Sequence, residues 1–125
     1  MFSVDVTPAV VTSLSITSVT TNSALITWTT DTPTSQGSIN YFDMRFSGRN
    51  LFGYNVYESP EIANTPRIEH SLTLPNLESG MTYAFTVRGN DHMGYGVNNV
   101  SVSGYTSIIF DGHNLSYTFT TLSGL

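Results

Sequence analysis

The chain has 125 residues, enough for one hydrophobic core and too few for two ordinary ones, so a single domain is expected. The formal net charge is -5 and only 10% of residues are charged; all the basic ones are arginines (Arg45, Arg49, Arg67, Arg88) that form no stripe able to neutralise several phosphates, so no nucleic-acid partner is expected. The absence of cysteine excludes disulfides, thiolate metal sites and cysteine nucleophiles, and the absence of lysine excludes Schiff-base chemistry and Lys-Asn isopeptide staples.

Taken in order, the chain has a period of two nearly everywhere, and helical spacing does not persist. In MFSVDV, Phe2, Val4 and Val6 alternate with Ser3, Asp5 and Thr7 before Pro8 stops the pattern, which predicts an extension strand over residues 1–9 ahead of a domain over 10–125. In ALITWTT, Ala24, Ile26 and Trp28 share one face, so Trp28 points into the core. DTPTSQG, residues 31–37, has the composition of a loop. The stretch INYFDMRFSGRNLFGYNVYES then predicts a hairpin turning at Ser47–Asn50, with Ile39 and Tyr41 on one parity and Phe42, Met44 and Phe46 on the other. Only one face of a sandwich strand enters the core. Either a β-bulge flips the parity midway, or Phe42, Met44, Phe46, Phe52 and Tyr54 form an exposed apolar patch of the kind that marks a partner surface.

Further along, IEHSLTL places Ile68, His70, Leu72 and Leu74 on one face. PNLESG turns the chain into MTYAFTVRG, where Tyr83, Phe85, Val87 and Gly89 face inward. NNVSVS and TSIIF are expected as extra strands before a DGHN turn, and LSYTFTT closes the chain with Leu115, Tyr117 and Phe119 inward. No apolar run approaches the roughly 20 residues needed to cross a bilayer, so no membrane insertion is expected.

The stretches ITSVTTNSALITWTTDTPTSQGSINY, HSLTLPNLESGMTYAFTVRGND and YTFTT resemble the fibronectin type III family, particularly the variety in secreted microbial proteins and ahead of metallophosphatase domains. The resemblance covers roughly 14–121 and implies a two-sheet, immunoglobulin-like β-sandwich, here with an extra N-terminal strand and an expanded connection between the last two strands. It assigns structural roles to Trp28, which fills the space between the sheets, and to Leu77, Gly80 and Tyr83, the family's Leu, Gly and corner Tyr. It also marks His70 as a structural imidazole. Phe85 stands where an antibody domain has its second cysteine, which favours the fibronectin over the immunoglobulin variety.

Asp91, His92, Asp111 and His113 are the nearest approach to a metal constellation, with Ca²⁺ on Asp and Asn oxygens favoured over a transition metal, but their spacing matches no recognised ligand pattern and no cofactor is expected. No nucleophile-elbow, paired-carboxylate or phosphate-cradling motif is present, so the expectation is a non-enzyme. Asn99-Val100-Ser101 and Asn114-Leu115-Ser116 are glycosylation sequons, and no RGD occurs.

These features lead to an extracellular or cell-surface module that works by protein contact. Its sharper form is a filament subunit that lays Phe2, Val4 and Val6 into a neighbour's sheet, with Phe42, Met44, Phe46, Phe52 and Tyr54 as further partner residues. The alternative is a spacer or accessory domain of a larger secreted enzyme, with carbohydrate bound on its aromatics and MFSVDV pairing within its own domain.

Overall fold

A computed structural model describes residues 9–43, 54–58, 65–91, 96–110 and 114–124. The described residues form seven strands: β1 (Val11–Thr17), β2 (Ala24–Asp43), β3 (Tyr54–Tyr57), β4 (Arg67–Leu74), β5 (Thr82–Asn90), β6 (Ser107–Phe110) and β7 (Asn114–Thr120). All named pairings are antiparallel.

Two layers share one long strand. The first half of β2 lies between β1 and β4, while its second half lies between β3 and β5, with β7 and β6 following outward from β5. The expected loop at 31–37 is therefore strand. Its Asp, Pro and Gly content reflects a corner rather than an interruption: the register slips between Thr29 and Thr34 and again between Ser35 and Ser38, and Gln36 takes a φ of 57°. Strands that pass from one sheet to another turn by such bulges. Hydrogen bonds hold the corner, with Thr30 Oγ1 donating to the Thr32 carbonyl at 2.7 Å and the Asp31 amide to the Val10 carbonyl at 3.0 Å.

Between the layers lies one apolar cluster. Ala24, Ile26, Trp28 and Leu74 enter it from one side, and Ile39, Tyr41, Tyr83, Phe85, Val87, Tyr117 and Phe119 from the other. The Phe85 ring packs on Tyr117 (5.5 Å between centroids) and edge-on to Phe119 (5.9 Å). Such aromatic pairs add about 0.5–1.5 kcal/mol each beyond the area they bury. The turn into β5 behaves as the resemblance implies: Gly80 has a φ of 65°, which a Cβ would resist, Leu77 is buried, and the Glu78 amide donates to the Tyr83 hydroxyl at 2.8 Å.

Two further expectations change. Ile68 does not share the buried face of His70 but is 46% exposed, because the pairing of β4 with β2 becomes irregular where Glu69 faces Thr29 and Arg67 faces Thr34. TSIIF forms β6, but NNVSVS forms no strand: Asn98 bridges Val10 in parallel, and Asn99 pairs through its side chain instead of its backbone. Val97 and Val102 lie partly buried against the core without a ladder.

Candidate functional site

The outer face of β3, β2 and β5 carries a groove of about 910 Å³. Its origin lies in the register. Ser38 sits opposite Tyr57 on one side and Arg88 on the other, and Asn40 sits opposite Asn55 and Thr86 in the same way. The small Ser38, together with the buried Ser116 on β7, makes a floor, and the longer side chains of Tyr57 and Arg88 rise beside it. The segment 96–101 lines the groove beyond β5.

Two amide pairs organise this face. Asn40 Nδ2 donates to Asn55 Oδ1 at 3.0 Å, linking β2 to β3, and Asn90 Nδ2 donates to Gln36 Oε1 at 2.6 Å, linking β5 to β2. Each bond uses one NH₂ and one carbonyl, which leaves the other carbonyl and the other NH₂ of the pair for further partners. Among the described residues that line the groove, Arg88 is the one charged side chain. Tyr57 is 66% exposed, the most exposed large apolar side chain among the described residues.

Beyond the last β5–β7 pair, Phe85 with Tyr117, the chain completes the β5 edge with a side chain. The Val87 amide donates to Asn99 Oδ1 at 3.0 Å, and Asn99 Nδ2 donates to the Val87 carbonyl at 3.0 Å. The carboxamide thus stands in for a neighbouring strand, presenting one acceptor and one donor as a backbone residue would. The Asn99 side chain of this first sequon is partly buried and hydrogen-bonded through both its oxygen and its nitrogen to the Val87 backbone. Nearby, the Tyr117 hydroxyl donates to the Val100 carbonyl at 2.7 Å, and burial raises its pKa above the usual tyrosine value.

Beneath the groove, on the core side, lies a second polar group. His70 stacks on Trp28 with 5.2 Å between ring centroids and 13° between planes. Its Nδ1 donates to Glu58 Oε1 at 2.8 Å, and its Nε2 lies 2.8 Å from Thr34 Oγ1 and 2.9 Å from the Arg67 carbonyl. The Arg67 guanidinium donates to the other carboxylate oxygen of Glu58. Thr34, Glu58 and His70 are buried. Gly37 is required here, since a Cβ at that position would lie 1.9 Å from Glu58 Oε1 and 2.8 Å from His70 Nδ1. The hydroxyl, imidazole and carboxylate stand in line, each of them buried, and their bonds run to one another and to the backbone. The group joins β2, β4 and the end of β3.

The structural assignments made from sequence are thus placed: Trp28 fills the core at 0% exposure, His70 is a buried structural imidazole, and Leu77, Gly80 and Tyr83 build the turn before β5. Phe42 lies half-buried on the outer parity and lines the groove, and pairing runs without a slip from Ser38 to Asp43, so no bulge flips the parity over that span. Tyr54 belongs to β3. Phe2, Val4, Val6, Met44, Phe46 and Phe52 lie outside the described residues, as does the expected turn at Ser47–Asn50. Of the metal candidates, Asp91 is buried, while His92, Asp111 and His113 lie outside the described residues. Among the described residues no three His, Asp or Glu gather as metal ligands. Sequence reasoning missed Glu58, Arg67 and Thr34, whose meeting with His70 nothing local announces. It also missed the groove-facing Gln36, Asn40, Asn55 and Asn90; for Asn40 and Asn55 the outward parity of SINYF and YNVY was an available signal.

Residues 9–105 match the family model of the fibronectin type III domain. No curated protein matches the chain in sequence. In structure it is similar to a protein described as a myokine (16% identity, TM-score 0.59, covering 93% of this chain and 99% of that one). It is also similar to a fibronectin type III domain of human collagen XX (21% identity, TM-score 0.54, covering 80% and 92%) and to the third fibronectin III domain of a human protein (16% identity, TM-score 0.53, covering 97% and 87%). At these identities the likeness concerns the fold. Domains of this family are generally non-catalytic modules. With its family model matched over most of its length and the corner Tyr83, Gly80, Leu77 and Trp28 in place, the chain belongs to the fibronectin type III family.

Proposed function

We propose that this chain is a non-catalytic module of the cell exterior that works by contact with other proteins and needs no cofactor, and that it assembles by donating Phe2, Val4 and Val6 to the sheet of a neighbouring copy. The observation that carries the reading is the clamp just after that segment. The Asn98 amide donates to the Ala9 carbonyl at 2.7 Å, the Val11 amide to the Asn98 carbonyl at 3.1 Å, and the Val10 amide to Asp31 Oδ1 at 2.9 Å. Ala9 itself is 1% exposed. A chain fixed so firmly at 9–11 transmits a pull on the residues before it directly into β1 and the core. Head-to-tail donation is heterologous and does not close, so it builds fibres. The surface rich in Ser, Thr and Asn and free of Lys supports the exterior location.

The test compares the full chain with a variant lacking residues 1–7 by light scattering and negative-stain microscopy. High-mass assemblies in the full chain that vanish on deletion are the expected result. Monomers in both samples refute strand donation.

A further inference from the structure

We infer that the groove on the outer face of β3, β2 and β5 binds an uncharged oligosaccharide chain, with one sugar ring lying on Tyr57 and its hydroxyls taken by the amides of the floor and walls. This goes beyond the assembly reading and holds whether or not the chain polymerises.

The lining selects the ligand class. Most ligand pockets of this size, within roughly 300–1,000 Å³, are predominantly apolar with a few polar groups. Here polar groups match the apolar ones: beside Phe42, Val97, Val100 and Leu115, the residues Gln36, Asn40, Asn55, Asn90 and Asn98 supply carboxamides, while Ser38, Thr86 and Ser101 supply hydroxyls. A ligand that fits must itself be dense in groups that both donate and accept, as the hydroxyls of a sugar do. The charge balance removes polyanions, since Arg88 is the one cation among the described lining residues and the whole chain carries -5. A protein partner would be expected to meet an apolar, aromatic centre with a polar rim. In this groove the central strand β2 contributes Ser38 and Asn40 beside a single half-buried aromatic, Phe42, and the exposed aromatic, Tyr57, stands at the β3 side.

The site is also held ready. The pairs Asn40–Asn55 and Asn90–Gln36 fix four carboxamides in place while leaving a carbonyl and an NH₂ of each pair unspent. Orienting groups before binding reduces the ordering cost that otherwise subtracts from affinity. Tyr57 gains its position from the next residue, because Glu58 is tied by His70 and Arg67 to β4. The C–H face of a pyranose is weakly positive and apolar, and the face of the phenol ring is its electrostatic complement.

The experiment is calorimetric titration of the full chain with cellohexaose, xylohexaose and mannohexaose, each measured also with Tyr57→Ala and Asn40→Ala. Binding of at least one of the three is expected, insensitive to added salt and weakened about tenfold or more, about 1.4 kcal/mol, by each substitution. Unchanged thermal unfolding of the two variants shows that the loss belongs to the site. Absence of binding to all three overturns the proposal, as does binding that both substitutions leave intact.

Discussion

Tyr57 and Glu58 are neighbours in the chain, yet they end on opposite sides of the same sheet and in opposite situations. The Tyr57 ring stands in solvent beside half-used amides, while the carboxylate of Glu58 is enclosed against His70 and Arg67. Both surroundings are polar. The difference lies in how far the polar groups are spent on one another. Inside, both carboxylate oxygens of Glu58 and both ring nitrogens of His70 have partners within the protein, while Trp28 Nε1 and Arg67 Nε at the margin of the group lack one. Outside, the amide pairs consume only half their capacity. A spent polar cluster serves stability, and an unspent one is available for recognition.

Removing a member of the enclosed cluster should therefore have the largest effect. Glu58→Ala strips the buried His70 imidazole and the one-third-exposed Arg67 guanidinium of their carboxylate. The cost is about 3 kcal/mol, the lower end of the range for breaking a buried pair because Arg67 reaches solvent. Urea unfolding followed by tryptophan fluorescence measures it directly, since the one tryptophan, Trp28, stacks on His70. Glu58→Gln, which keeps an acceptor for the imidazole, should lose less. If the two variants are equally mild, the inside cluster is not what holds β3 to β4. Asn99→Ala comes next, leaving the partly buried amide and carbonyl of Val87 without their partner at about 1–3 kcal/mol. Faster amide exchange at Val87 should accompany that loss.

Which parts of this were legible beforehand follows from the range of the signal. Gly80 and Tyr83 stand in a short stretch whose turn chemistry is local, and Trp28 shows its inward parity within seven residues, so the framework could be read directly. The corner at 31–37 could not, because Asp31, Pro33 and Gly37 have the composition of a loop and only pairing to β4 and β5 makes them strand. NNVSVS misled for the converse reason: its alternation is that of a strand, but a side chain, Asn99, does the pairing. His70 was legible as a core residue by parity, whereas its partners Glu58 and Thr34 lie 12 and 36 residues away and meet it only through the fold. Likewise Asn40 and Asn55 show their outward parity in sequence, but the groove exists only once register sets Ser38 between Tyr57 and Arg88.

Tyr117 tests the boundary between the two regions, because its hydroxyl is spent on Val100 where the core meets the segment lining the groove. Tyr117→Phe should cost about 1 kcal/mol, the worth of one hydrogen bond. Its pKa is raised in the folded state by burial. The folded protein then holds a proton that the unfolded chain releases, so stability contributed by this group is complete below about pH 10 and falls as pH rises from there through the folded value. Unfolding at a series of alkaline pH values should show a steeper decline for the natural chain than for Tyr117→Phe, and equal slopes would mean that the phenol is not enclosed.

The smallest effect is the most discriminating. If the outer amides and Tyr57 are reserved for recognition, Tyr57→Ala and Asn40→Ala should each change unfolding free energy by less than about 0.5 kcal/mol, the range of ordinary surface substitutions. A loss above about 1 kcal/mol for either would place that residue with Glu58, as a group whose bonds support the fold. The contrast between the two faces would then be one of exposure alone. A loss within the surface range, set beside the cost of Glu58→Ala one residue away, would show that β3 is fixed from its buried face and carries its recognition groups on the other.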